Sequence, residues 1–166
     1  MNFVIYDQSI KDNDFLLDYI FDTISENLSF MFGNDMVNPQ SRQDWLNYNL
    51  LNADLYWRIV IAFDGNKPCG YLIYTIQDNC FIVNDIEINK EYRMNPVLLR
   101  GLFVNAFDSE KGKWDTIKGY INNKNLVSKK NFLKLATEIK ERERGVSFSI
   151  PKSVIESKFC IRPGSI

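Results

Sequence analysis

The sequence predicts an α+β fold in α/β/α layers: a mixed, mostly antiparallel central sheet of about seven strands with helices on both faces. Three observations carry this expectation. Residues 56–88 hold three β-rich runs joined by two short turns, which makes an antiparallel meander. The next unit reads strand, helix, strand, and a crossover of that kind sets its two strands parallel. In the longer segments between strands, apolar residues recur every three or four positions, so each offers one face to a sheet.

Taken in order, Phe3-Val4-Ile5-Tyr6 is a short β-rich first strand. Ser9-Ile10-Lys11-Asp12 has capping-box character, with Asp14 as an alternative cap. Phe15, Leu16, Tyr19, Ile20, Ile24 and Leu28 then mark the apolar face of a first helix, which Gly33 or Asn34 stops. The Phe30-Met31-Phe32 group at its end reads first as core and second as the lining of an acceptor pocket. Ser41-Arg42-Gln43-Asp44 caps a short second helix carrying Trp45, Leu46, Tyr48, Leu50 and Leu51. Tyr56–Phe63 is apolar enough for a central strand, and Asp64-Gly65 is a strong hairpin signal before the return strand Cys69–Ile76. Gln77-Asp78-Asn79 turns the chain into a third strand, Cys80–Ile88.

From Pro96 to about Glu110, Leu98, Leu99, Leu102, Phe103, Ala106 and Phe107 give a helix packed on the sheet. Trp114–Ile121 is the strand after it, and Asn125 to about Ala136 is a further helix. Glu138–Glu143 and Val146–Ile150 flank Arg144-Gly145 as a closing hairpin, and Ser153–Lys158 is a short terminal helix. The alternating charges of residues 140–144 suit an exposed strand.

The length of 166 residues and 45% hydrophobic content suit one domain over residues 1–166 with a sizeable core. A net charge of −1 offers no general field for nucleic acid or an anionic membrane, so neither is an expected partner. Met1-Asn2-Phe3-Val4 lacks the basic start of a signal peptide, and the expected compartment is the cytoplasm. Cys69, Cys80 and Cys160 are widely spaced and form no Cys-x-x-Cys pair, which fits a reducing compartment and argues against structural zinc. Histidine is absent, which removes histidine-based catalysis and the commonest metal ligand; no metal is expected.

The stretch from Asn84 to Leu99 organises the rest. It reads as a strand entering a loop and then the first turn of a helix, and a helix N-terminus presents unpaired N–H groups and a partial positive charge to a phosphate.

The full order of elements resembles the GCN5-related N-acetyltransferase family. Asp64-Gly65 and Gly70-Tyr71 look like the family's second and third strands with their "DG…VGY" pattern. Residues 85–93 look like its fourth strand and the "V-x-P-E-Y-R" exit, and Asn125-Leu126-Val127-Ser128 followed by Phe132 is similar to its "N-x-x-A/S" helix start and the aromatic seven residues after that Asn. The resemblance implies acetyl-CoA as co-substrate and a small-molecule or peptide amine as acceptor, with direct attack by the amine; a homodimer is compatible with it. It also implies a cofactor-binding set made of backbone groups of Ile86 and Ile88, Arg93, the amides of Val97, Leu98 and Leu99, and Asn125 with Ser128.

The chain departs from the family pattern in three ways. Pro96 and Leu98 stand where the loop glycines are expected, and Pro96 has no N–H to give. Phe132 stands where the family often has a tyrosine whose hydroxyl protonates the departing thiolate. Ala136-Thr137 replaces a frequent Gly-Phe.

Asp85 and Glu87 alternate with Ile86 and Ile88, so both carboxyls share one face of their strand. Two like charges on a partly buried face raise at least one pKa, which suits a general base; Glu87 is preferred because it lies nearer the strand end. The competing reading makes both ordinary solvent-facing acids. Arg93 reads equally as a phosphate ligand or an exposed loop residue. Tyr74 and Tyr120 are candidate replacements for the missing acid, although strand tyrosines are more often packing residues. Asn125 and Ser128 start their helix in either case, and Cys80 has no histidine to activate it as a nucleophile. The alternative function is a catalytically inactive domain of the same fold acting as a binding or assembly module. That alternative predicts a joint closed by Leu98 or Asn95, with no groove between the fourth and fifth strands.

Overall fold

In the computed structural model, residues 1–32 and 57–159 are described, with residues 40, 43, 44 and 47 between them. Most of the expected second helix and the stop of the first one, from Gly33 on, lie outside the described residues; Gln40, Gln43, Asp44 and Asn47 are helical.

The strands β1 (Asn2–Tyr6), β2 (Trp57–Asp64), β3 (Lys67–Gln77), β4 (Cys80–Ile88), β5 (Thr116–Asn122), β6 (Glu138–Arg142) and β7 (Gly145–Pro151) form one seven-stranded sheet in the order β1-β2-β3-β4-β5-β7-β6. Among the described strands only β4 and β5 pair in parallel; the others are antiparallel. The predicted fold class therefore holds. Among the fully described segments the α-helices are α1 (Asp14–Phe32), α2 (Pro96–Ser109), α3 (Leu126–Phe132) and α4 (Lys152–Phe159). No helix among the described residues is long and apolar enough to cross a membrane.

The sheet separates two cores. On one face Leu16, Ile20 and Ile24 of α1 meet Ile59, Tyr71 and Ile73. On the other, Leu98, Leu102 and Phe107 of α2 meet Leu72, Tyr74 and Phe81, and Phe132 of α3 and Ile155 of α4 extend that cluster. The first helix starts differently from the expectation: the Asp7 side chain caps a 3-10 turn over Gln8–Asp12 through Ser9 N, and Asn13 then caps α1 through Leu16 N at 3.1 Å. Ser9 is thus inside the turn. Likewise α3 ends at Phe132, because Leu135 and Ala136 close tight turns and Thr137 N is drawn to Ser149 O at 3.0 Å, where β6 begins.

The register of β3 and β4 slips by one residue. Tyr74 faces Val83 but Ile73 faces Asp85, so Asn84 is the extra residue of a β-bulge. Side chains alternate along a strand, and one inserted residue exchanges the faces. Phe81 and Val83 point into the α2 core, whereas Asp85 and Glu87 emerge on the α1 face opposite Ile73 and Tyr71.

Candidate active site

The same bulge ends the pairing of β4 with β5. Their ladder runs from Cys80 with Thr116 to Val83 with Gly119 and goes no further. Phe148 on β7 lies where a Cβ on Gly119 would sit, so an aromatic ring fills the fork at this level. Beyond it the strands part, and a cavity of about 590 Å³ opens between the end of β4, the start of α2 and the start of α3. A smaller cavity of about 100 Å³ shares Ile86, Glu87, Asn125, Ser128 and Phe132 with it and reaches Asp85 and Tyr120. The two are ends of one groove. Its larger part has the volume of a small-molecule site.

Backbone groups line one side. Asn89 N donates to Cys69 O on β3, so by antiparallel alternation the N–H and C=O of Ile86 and Ile88 turn toward the groove. The Ile88 carbonyl already accepts from Arg93 Nε at 3.2 Å.

Glu87 stands at the junction of both cavities. The side-chain amide of Asn27, buried on α1, donates to its Oε2, and the Arg93 guanidinium donates to Asn27 Oδ1. Burial pushes Glu87 up to about 8, and the neighbouring Asp85 carboxylate adds to the rise, against the opposing effects of Arg93 and Asn27. Asp85 is pushed up to about 6 by burial, while Tyr71 Oη donates to its Oδ2 at 2.8 Å and opposes that rise. Neither acid is therefore a solvent-facing surface group. Beside them Tyr19 Oη donates to Asn89 Oδ1 at 2.7 Å.

The loop into α2 is shaped by its cap. Asn95 Oδ1 accepts from Val97 N at 3.0 Å, and the Asn95 carbonyl accepts from Leu98 N at 3.3 Å. With Pro96 lacking an N–H, three of the first-turn positions have no amide directed at the groove. The Leu98 side chain is wholly buried in the α2 core and does not line the cavity, whereas Leu99 does. Across the groove, Asn125 caps α3 through Ser128 N at 3.0 Å, and both residues line it.

Arg93 takes neither of its two expected roles alone: it is exposed and lines the groove, yet it is turned back onto β4 and α1. Tyr74 follows the packing reading and not that of a substitute acid. Its hydroxyl lies in the core against Ser109 Oγ at 2.9 Å, next to the buried Glu110 carboxylate that pairs with the partly exposed Arg58. Tyr120 packs over Gly145 while lining the smaller cavity. Phe132 keeps the packing expected of the aromatic there, stacked on Phe148 at 5.5 Å and edge-on to Phe103 at 6.0 Å.

Asn27 escaped the sequence reading. A signal was present, for Asn27 continues the apolar stripe of Ile20 and Ile24 at helical spacing, and a polar residue on such a stripe needs a buried partner.

No protein-family model matches the chain, and no curated protein sequence does. Solved structures do. The PaiA N-acetyltransferase of Thermoplasma acidophilum, crystallised with coenzyme A, superposes with a TM-score of 0.66 at 16% identity, covering 91% of this chain and 99% of that one. An acetyltransferase from Streptococcus agalactiae gives 0.68 at 16% identity over 90% and 98%. The spermidine N-acetyltransferase SpeG of Vibrio cholerae, as a point variant, gives 0.60 at 13% identity over 98% and 99%. At these identities the likeness establishes a shared fold, that of the GCN5-related N-acetyltransferases.

Proposed function

We propose that this chain, built on the fold of the GCN5-related N-acetyltransferases, is an N-acyltransferase that moves an acetyl group from acetyl-CoA to a primary amine. One observation carries the reading: the groove where β4 parts from β5 opens directly onto the half-buried Glu87 carboxyl, which desolvation pushes up to about 8. A general base works best with a pKa close to the working pH.

In this reading the groove-facing backbone of Ile86 and Ile88 holds the pantetheine arm, and Phe132, Asn125 and Ser128 form the opposite wall. Acetyl-CoA supplies an activated thioester carbonyl. Glu87 accepts a proton from the acceptor ammonium, and the freed nitrogen attacks the carbonyl carbon. As the new C–N bond forms, the C–S bond breaks, its electron pair leaves with sulfur, and the nitrogen gives its second proton to water. Asn27 and Arg93 orient Glu87, and desolvation, with Asp85 beside it, keeps its pKa high. Phe132 offers no proton to the sulfur, so the thiolate takes one from water. The acceptor class is a small-molecule or peptide amine.

An open groove at this place counts against the alternative of a non-catalytic module, which predicts none there, although the Asn95 cap over the joint is a feature that alternative also predicts. Titration with acetyl-CoA in a thermal-unfolding assay tests the reading. A ligand at a hundred times its Kd stabilises by about 2.7 kcal/mol. Absence of any shift at millimolar acetyl-CoA rejects it.

A further inference from the structure

The floor of the fork between β4 and β5 is an aromatic ring. Phe148 stands opposite Gly119 in the β5–β7 register, and a Cβ on Gly119 would lie 2.7 Å from its Cε1 and Cζ atoms. Gly119 is also the last residue of β5 that pairs with β4. The glycine therefore lets the ring reach the point where the two strands part. Phe148 is buried, stacks on Phe132 at 5.5 Å and lines the smaller cavity. The cluster it belongs to, with Phe103, Ile117 and Ile121, is apolar.

Glu87 stands where the two cavities meet, and in the acyltransferase reading, on which this inference rests, the pantetheine arm occupies the larger one. The thioester carbonyl then lies at the junction, within reach of the amine that Glu87 deprotonates, and the rest of the acyl group points into the smaller cavity. Asp85 and Tyr120 give that cavity a polar side for the amine, whereas Val83, Phe132 and Phe148 give it an apolar one. Its volume is about 100 Å³. A water in the liquid takes about 30 Å³, so the space suits about three non-hydrogen atoms, the size of an acetyl group. We infer that Phe148, seated on Gly119, sets the acyl-length limit of this chain, admitting acetyl and rejecting longer groups at the fork. A longer acyl chain meets the ring inside a packed core, where added methylenes force their neighbours out of place.

Calorimetric titration of the full chain with acetyl-CoA, butyryl-CoA and hexanoyl-CoA tests it. A misfit of one methylene in an apolar pocket discriminates by about tenfold or more, so hexanoyl-CoA is expected to bind the parent protein at least about tenfold more weakly than acetyl-CoA. Phe148→Ala opens the floor onto the apolar cluster, and in this variant hexanoyl-CoA is expected to gain at least about tenfold on acetyl-CoA. Phe148→Leu keeps more of the core filled, and there butyryl-CoA is expected to gain at least about threefold. Leu98→Ala, a core truncation behind the groove wall, should leave both ratios as they are in the parent protein. The inference is overturned if the parent protein discriminates against hexanoyl-CoA by less than about tenfold, or if either folded Phe148 variant gains less than expected. A shift of equal size in Leu98→Ala also overturns it, since general loosening of the core then explains the gain. Failure of all three esters to bind rejects the acyltransferase reading itself, whereas acetyl-CoA binding without chain-length selection leaves that reading standing.

Discussion

The side-chain amide of Asn27 donates to Glu87 Oε2, joining α1 to β4 across the edge of the groove, and Asn27 Oδ1 in turn accepts from Arg93. One side chain thus holds an acid and a cation in fixed relation. Because the Asn27 bond favours the charged form of Glu87, its removal shifts the carboxyl further upward. Asn27→Ala is expected to raise the midpoint of the Glu87 side-chain titration, followed by carbon NMR. A purely structural role for Asn27 lowers the melting temperature and leaves that midpoint in place.

Glu87 itself links catalysis to stability. Its pKa in the fold is about 8 against a reference of 4.5, so the folded state binds its proton more tightly than the unfolded chain does. The sign follows: its contribution to stability is complete below the reference value and is lost as pH rises through the folded one. Glu87→Gln keeps the shape and removes the charge. The variant is expected to melt above the parent protein at pH 9 and to lose that advantage toward pH 4, where both side chains are neutral. Acetyl transfer by the parent protein should rise with pH through about 8, and the variant should lose roughly a hundredfold or more in rate. An equal melting temperature at pH 9 removes the basis for the raised pKa.

At the α2 cap, Asn95 holds the donor that a phosphate bound there would need. Asn95→Ala removes the acceptor of the Val97 N–H bond. Loss of a cap costs about 1 kcal/mol, which for a chain of this size is a drop of roughly 2–4 °C in melting temperature. The same change frees the Val97 amide for the coenzyme pyrophosphate. Coenzyme A is therefore expected to bind the less stable variant more tightly, measured by calorimetric titration. Weaker binding shows instead that the Asn95 side chain touches the ligand.

Much of this was legible from residues whose local chemistry decides alone. Gln77-Asp78-Asn79 turns the chain because Asp78 and Asn79 adopt positive φ of 50° and 58°, which short polar side chains tolerate. The crossover helix begins where Asn95-Pro96 makes a cap and a favourable first position. The bulge was harder to see. Its trace is a change of phase, since Phe81 and Val83 occupy odd positions on the α2 face, and Ile86 and Ile88 continue that face on even ones. Asp85 and Glu87 do share a face, but tertiary packing under α1 decides that the face is buried. Asn27 and Tyr71 meet these acids from distant parts of the chain, and no local pattern encodes that meeting.

Leu98 carries two readings from the sequence, a loop position and a place in the apolar stripe, and the structure keeps the second. It stands at a loop position where small residues are expected, but it also continues the Leu102 and Ala106 stripe one turn earlier, and burial follows the stripe. Its Cδ2 lies 2.9 Å from where a Cβ on Gly70 would sit, so β3 makes room for it by carrying glycine. Leu98→Ala is expected to cost about 2–5 kcal/mol as a cavity. Gly70→Ala is expected to cost about 1–3 kcal/mol by overpacking. Combined, the two changes relieve each other, because the shortened side chain at 98 vacates the space that the new methyl enters. The Glu87 carbonyl, 3.1 Å from the same point, keeps the relief partial. Denaturant unfolding of both single variants and the double variant should give a favourable coupling energy of about 0.5–3 kcal/mol. Strict additivity shows that Leu98 does not set the spacing between α2 and β3. Acetyl-CoA affinity should be nearly unchanged in Leu98→Ala, because its side chain lies behind the groove wall.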